Sequence, residues 1–226
     1  MTNKQPLSSS TIKPPLFPKR MMTRGLPDAT LNDHEQYSQL TLSQDLLIGQ
    51  IADYLTFEQV QCKGVNMNST TFTHLQLGDV RLTECDLANA RWPEAGLHRV
   101  EASECRMTGF VAIEAKFQDV LFKQCKINLA QFRFSTFKAV RFEDCDLSDA
   151  DFQGADLTGV SFVRCNLQNV EMSGAKLIGA DLRSSTIDGL RAGPRELQGA
   201  IVDSAQALVL VQAFGIVVKS SLLDKS

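Results

Sequence analysis

The sequence contains no run of eighteen apolar residues, so it encodes no ordinary membrane-spanning helix. It has no Cys-X-X-Cys pair and no glycine-rich phosphate loop, which removes the usual zinc, thioredoxin-like and nucleotide-binding signatures. Histidine is scarce. His34, His74 and His98 have no partners at metal-ligand or nucleophile spacing and are expected on the surface. A dominant charge of one sign is also missing: 23 Lys and Arg face 26 Asp and Glu, for a formal net charge of -3. Any electrostatic function must therefore come from arrangement rather than from the total. At the N-terminus, Pro6, Pro14, Pro15, Pro18 and Pro27 break the chain before an apolar signal-peptide core can form, and they oppose a transit-peptide helix. Residues 1–27 are expected to be a flexible tail and the protein cytoplasmic.

What the sequence does contain is a period of five. Large apolar residues fall at every fifth position from Phe57, through Phe72, Leu87, Trp92, Phe117, Phe122, Phe132, Phe142, Phe152 and Phe162, to Ile187, with only Ala102 and Ala112 falling short in size. Two residues before each stands a smaller one, such as Val80, Ala90, Ala95 or Ser135. One polar residue between two apolar ones describes a very short strand that turns two side chains inward and one outward. The remaining two positions of each five turn a corner, and the second is often Gly, Asn or Asp, as at Gly64, Asn89, Gly154 and Gly174. A second period sets how the fives wrap. Cys85, Cys105, Cys125, Cys145 and Cys165 recur every twenty residues, as do Val80, Val100, Val120, Val140 and Val160. Four strands thus make one coil, and about seven coils over residues 55–202 give a rod on the order of 35 Å long at parallel-strand spacing.

Segments such as Ala150-Asp151-Phe152-Gln153-Gly154, Ala155-Asp156-Leu157-Thr158-Gly159 and Ala180-Asp181-Leu182-Arg183-Ser184 resemble the Ala-(Asp/Asn)-Leu-X-X consensus of the pentapeptide-repeat family. The resemblance implies an all-β fold, a right-handed quadrilateral parallel β-helix with an interior filled by side chains, here followed by a short C-terminal helix. The ladder cysteines, at inward small positions, are expected to be reduced and structural rather than metal-binding or disulfide-bonded.

Departures from the pattern suggest surfaces. Phe110 and Ala112 exchange the large and small roles, which conserves core volume within one strand. Val111, Ile113, Leu121, Leu129 and Phe134 are large apolar residues at outward positions. Val111, Ile113 and Phe134 share one outer face and could form a partner-binding patch; equally, corner side chains could fold back or the N-terminal segment could cover them. Asp144, Asp146, Asp149, Asp151 and Asp156 form an acidic band that could meet a partner's basic DNA groove. From Glu143 to Asp203, eleven acidic residues oppose five basic ones, a local balance of 5 minus 11, or -6. Spread around an outer wall, these carboxylates have no cleft in which to act as a catalytic site, and enzymatic function is not expected.

The ends follow different rules. Residues 28–54 read as an irregular lead-in and cap, because Leu40 and Leu42 fit the register while Asp45 and Gln50 do not. At the other end, residues 203–226 are expected to form a short helix and tail, with Ser204 as N-cap and Gly215 as stop. Its apolar residues, among them Leu208, Leu210, Val211, Phe214 and Ile216, are apolar all round and point to dimerisation end to end. The segment Gln206 to Val218 resembles the C-terminal element of the quinolone-resistance and mycobacterial gyrase-binding pentapeptide proteins. That resemblance implies a homodimer and a DNA-mimicking interaction with DNA gyrase or topoisomerase IV, giving protection from topoisomerase poisons. No cofactor, metal, membrane or direct nucleic-acid partner is expected. In some relatives protection depends on loops that interrupt the coils; here the phases run without insertion from Val80 to Ile187. The competing reading is a structural scaffold or regulatory adaptor that binds another protein through the Val111, Ile113 and Phe134 face.

Overall fold

A polar residue between two apolar ones can bury both neighbours only where the backbone is extended, and a corner every five residues returns the chain to its starting wall after twenty. A computed structural model, describing residues 11–23 and 30–219, shows this coil directly. Its strands are β1 (Met22–Thr23), β2 (Gln36–Ser38), β3 (Leu40–Ser43), β4 (Ile51–Asp53), β5 (Thr56–Glu58), β6 (Gln61–Lys63), β7 (Thr71–Thr73), β8 (Gln76–Thr83), β9 (Gly96–Ser103), β10 (Lys116–Lys123), β11 (Thr136–Glu143) and β12 (Ser161–Val163); one helix, α1 (Ser204–Ala213), follows. All strand pairs are parallel, and Val80, Val100, Val120 and Val140 stand in one ladder at a step of twenty residues. Isolated parallel bridges continue the same step on the remaining walls, from Asn66 to Thr186 and from Thr71 to Arg191. The fold is a quadrilateral parallel β-helix.

Four outer faces result. Face 1 carries Arg81, Glu101, Leu121 and Arg141; face 2 carries Asp86, Arg106, Lys126, Asp146 and Asn166; face 3 carries Arg91, Val111, Gln131, Asp151 and Glu171; face 4 carries Gly96, Lys116, Thr136, Asp156 and Lys176. Inside, identical residues stack. The Phe122, Phe142 and Phe162 rings lie nearly parallel, with centroids 4.9 and 5.2 Å apart. Phe110 and Ala112, the exchanged pair, are both buried, and the Phe110 ring meets Trp92 edge-on at 5.2 Å. All six cysteines are free and buried. Each ladder thiol from Cys85 to Cys145 donates to the carbonyl twenty-three residues earlier, as Cys105 Sγ does to Leu82 O at 3.6 Å. Burial pushes the Cys62 thiol well above its ordinary 9.0.

The corners need a left-handed residue, for which glycine is the cheapest choice. Yet Glu84, Glu94, Arg99 and Glu104 also sit at φ of 52–56°. Coil stacking holds them there, since the Glu84 and Glu104 amides each donate to a carbonyl of the next coil, Ser103 O at 3.0 Å and Lys123 O at 2.9 Å.

The two ends differ from expectation. Residues 36–54 are in coil register: β2 pairs with β5 and β3 with β6 at the usual step, and Leu40, Leu42, Leu47 and Ala52 are core. The polar residues at inward small positions are accommodated by hydrogen bonds, because Asp45 accepts from Ser43 N and Gln50 Oε1 from Leu31 N. Nor is all of 1–27 a loose tail. Residues 11–23 run along face 1, and β1 pairs with β3 at the bottom of the rod. The rest of that expected tail, residues 1–10 and 24–27, lies outside the described residues.

At the top, α1 is capped by Asp203 rather than Ser204. The Asp203 carboxylate accepts from Gln206 N at 3.0 Å, and the Gln206 side chain accepts from Asp203 N at 3.1 Å, a reciprocal capping box. The same Gln206 amide donates to Leu182 O and Ser185 O at 2.6 and 2.7 Å, closing carbonyls that the next coil would otherwise bind. One buried side chain therefore caps helix and rod together. As expected, the helix stops at Gly215, which has a φ of 79°.

Two stability outcomes follow. Phe142→Ala removes the middle ring of a fully packed stack and should cost about 3–5 kcal/mol in urea unfolding. Gln206→Ala leaves Ser185 O without a donor and Leu182 O with only the Ser185 amide at 3.2 Å, and should cost roughly 2 kcal/mol, with loss of hydrogen-exchange protection concentrated in the top coil.

Candidate interaction surfaces

The coil step that stacks the core also places outward side chains of like position beside each other, and charged residues pair up the ladders. Arg106 meets Asp86 at 2.5 Å, Arg164 meets Asp144 at 2.6 Å, Lys176 meets Asp156 at 3.4 Å and Arg191 meets Glu171 at 3.2 Å. Asp151 accepts from Arg133 Nε at 2.6 Å. The five aspartates of the acidic band are therefore not brought together. Asp144 sits at a corner beside Arg164, whose guanidinium lowers its pKa. Asp151 lies on face 3 and Asp156 on face 4, each neutralised by its partner. Only Asp146 and Asp149 occupy face 2 and its corner. Asp146 is bound by Ser148 N and Asn166 Nδ2. One coil pair further on, Asp188 joins them, and from Asp146 to Gly189 the residues of this face and its corner include no Lys or Arg. Face 2 thus has an upper half that is acidic and polar, while its lower half carries Arg106 and Lys126.

The expected apolar patch is smaller than its residue list. Val111 is 4% exposed, between Arg91 and Gln131 on the same ladder, and Ile113 is half-buried. Leu121 is covered in part by residues 11–15. Phe134 does stand out, with 58% of its surface exposed. Its ring lies over Gly154, where a Cβ would come within 2.6 Å of the ring. Leu129, also exposed, is at the opposite edge of face 3 in the same coil.

The helix residues divide likewise. Leu210 packs against the core and Val211 is half-buried, whereas Leu208, Phe214 and Ile216 are exposed and continue into exposed Val217 and Val218. Two groupings escaped sequence reasoning. Leu46, Ile48 and Ile51 form an exposed apolar corner in the lowest coils, unnoticed because Asp45 and Gln50 hid the register there. His34, Tyr54 and His74, twenty residues apart, stack as parallel rings at 5.1 and 4.3 Å. His74 Nδ1 lies 3.0 Å from Asp53 and Nε2 lies 3.4 Å from Glu94.

Among the described residues no cluster of His, Cys, Asp or Glu could hold a metal. The largest hollows are shallow grooves against the walls rather than an enclosed cleft. Two family models fit the coils: the pentapeptide repeat region matches residues 76–152, and pentapeptide repeats in eight copies match residues 145–183. Pentapeptide repeats therefore span residues 76–183 of the chain. No curated protein matches it in sequence. Among solved structures, this pentapeptide-repeat chain is similar to trypsin-treated QnrB1, a plasmid-mediated fluoroquinolone resistance protein. The two are 20% identical, with 88% of this chain and 99% of that one covered and a TM-score of 0.42. It is also similar to HetL, a pentapeptide repeat protein involved in heterocyst differentiation regulation from the cyanobacterium Nostoc, at 19% identity, 71% and 92% coverage and a TM-score of 0.23. A third is a pentapeptide repeat protein of the Arabidopsis thaliana thylakoid lumen, at 20% identity, 47% and 71% coverage and a TM-score of 0.24. No residue role is carried over from these distant proteins.

The histidine column gives a pH-dependent readout on the pentapeptide-repeat rod. The hydrogen bond to Asp53, aided by Glu94, raises the His74 pKa above its ordinary 6.5. A raised folded pKa means that the interaction stabilises the rod below the unfolded value and is lost as pH rises through the folded value. An NMR titration should find His74 titrating above 6.5, and Asp53→Asn should lower its midpoint.

Proposed function

We propose that the rod is a non-enzymatic, dimeric protein-binding module that engages DNA gyrase or topoisomerase IV as a partial duplex mimic and shields the enzyme from its poisons. The observation that carries this reading is the top of the rod. There Leu208, Phe214, Ile216, Val217 and Val218 are exposed together on a segment that resembles the dimerising element of the gyrase-binding pentapeptide proteins. Exposed apolar surface of this kind is ordinarily covered by a partner, and an end-to-end copy is the symmetric solution. Such a dimer would bring the upper halves of both copies of face 2 toward the two-fold axis. Asp146, Asp149 and Asp188 of each copy would then form one longer acidic stretch, bordered by Arg164 at one corner and the Arg191 guanidinium at the other, a surface suited to a protein groove that receives DNA.

Light scattering should find a dimer that Leu208→Asp with Phe214→Asp converts to monomer without unfolding the coils. In a supercoiling assay with purified gyrase, the wild-type chain should inhibit supercoiling and reduce poison-dependent cleavage complexes. Asp146→Asn, Asp149→Asn and Asp188→Asn together should weaken both effects at least tenfold. A wild-type protein without effect on either at high molar excess would sink the topoisomerase reading.

A second reading is favoured by Phe134, a large ring held outward on a glycine in mid-rod. On that reading the protein is an adaptor that docks another protein on the face 3 edge. Phe134→Asp would abolish that contact with the fold intact, yet leave supercoiling inhibition unchanged.

A further inference from the structure

Residues 11–23 contact face 1 in a particular way. Ile12, Pro15, Pro18 and Met21 are turned toward the rod, with Phe17 also half-buried under Arg81, while Thr11, Lys13, Pro14, Leu16, Lys19 and Arg20 face solvent. A burial period of three is that of a polyproline II helix with one edge laid on a surface. Pro14 and Pro15 have no amide to offer. The flanking amides are used: Lys13 N donates to Asp119 Oδ1 at 3.1 Å and Leu16 N to Asp79 Oδ1 at 2.8 Å. The spacing matches. Three polyproline II residues rise about 9.3 Å, and the two coils separating Asp79 from Asp119 rise about 9.6 Å.

The acceptors are built into the rod. Asp79 and Asp119 are only 3% and 5% exposed. Arg99, in the coil between them, grips Asp79 through two bonds of 2.5 Å and lowers its pKa, keeping it ionised to receive an amide. The Arg81 guanidinium lies over the Phe17 ring at 5.2 Å. Residues 11–18 form no strand pairing on this face; their hold consists of these contacts. Nor do they satisfy it fully. Beside Thr11–Pro15 a groove of about 350 Å³ remains, bordered by Glu101, Leu121, Arg141 and Glu143. On its wall Arg141 Nε is buried with no hydrogen-bond partner among the described residues.

We propose that face 1 is a docking groove for an extended, proline-rich segment of a partner protein, with an aromatic residue and amides three residues apart, and that residues 11–23 are the resident occupant which this segment displaces. The recognition elements belong to the rod, namely two buried carboxylates at the polyproline step and a cation for an aromatic residue. Among the described residues, the open groove and the Arg141 Nε without a partner leave room for a segment that fits better than the resident one. Face 1 is separate from face 2 and from the helical end, so this site does not depend on the topoisomerase reading.

The probe is a labelled synthetic peptide of residues 11–23, added to the full chain. Tethering gives the resident segment a high effective concentration, so Ile12→Asp with Pro15→Asp in the full chain should increase peptide affinity at least tenfold over wild type. A peptide with Leu16→Pro keeps the polyproline shape and loses one amide; its affinity should fall about tenfold. Adding Asp119→Ala to the double variant should reverse the gain. In the wild-type chain, excess unlabelled peptide should speed hydrogen exchange at the Lys13 and Leu16 amides. Equal affinity for wild type and double variant, or exchange unmoved by peptide, would overturn the proposal. So would a wild-type dimer that the double variant loses, because the occupant would then be the segment of a second copy.

Discussion

The rod depends on one geometric constraint: twenty residues must close a square turn whose successive copies lie at parallel-strand spacing. Within that turn the interior volume is limited, so most walls supply one large and one small side chain, Val100 with Ala102 being an undersized pair. The exchange at Phe110 and Ala112 is tolerated because the sum is unchanged. The same spacing brings outward residues twenty apart close enough to pair. Ion pairs such as Arg106 with Asp86 and Arg164 with Asp144 follow from it, as does the His34, Tyr54 and His74 stack.

Pairing along ladders has a functional consequence. A carboxylate beside an arginine one coil away is not available to imitate a phosphate, however acidic its stretch of sequence. The net balance of a segment is therefore a poor guide to its surface, and what counts is which column each charge occupies. On this rod Asp146, Asp149 and Asp188, in the upper half of face 2, are acids with no ion pair among the described residues. Apolar groups at the surface are sorted similarly. Val111 is buried between Arg91 and Gln131, while Phe134 is held outward over a glycine.

A solenoid must also end, and its last coil exposes backbone groups that the next would have paired. This chain resolves its two ends differently. At the bottom, β1 adds a short paired segment; at the top, Gln206 joins helix cap to coil cap through one side chain. Closing the top with a helix leaves Leu208 and Phe214 exposed on that helix.

The five- and twenty-residue periods were legible by themselves, because an inward or outward direction is a local property of extended backbone and needs no knowledge of distant residues. They determined the coil, its core and the cysteine ladder; the stop at Gly215 was legible separately, as a glycine that ends a helix. The tertiary structure decided what lies outside the period. Asp45 and Gln50 looked foreign to the repeat until their hydrogen-bond partners were seen, and Ser204 yielded the capping role to Asp203 because Gln206 had two tasks. The placement of residues 11–23 was settled by Asp79 and Asp119, more than sixty residues away in sequence. No local pattern in a proline-rich segment can specify which distant carboxylates will receive its amides.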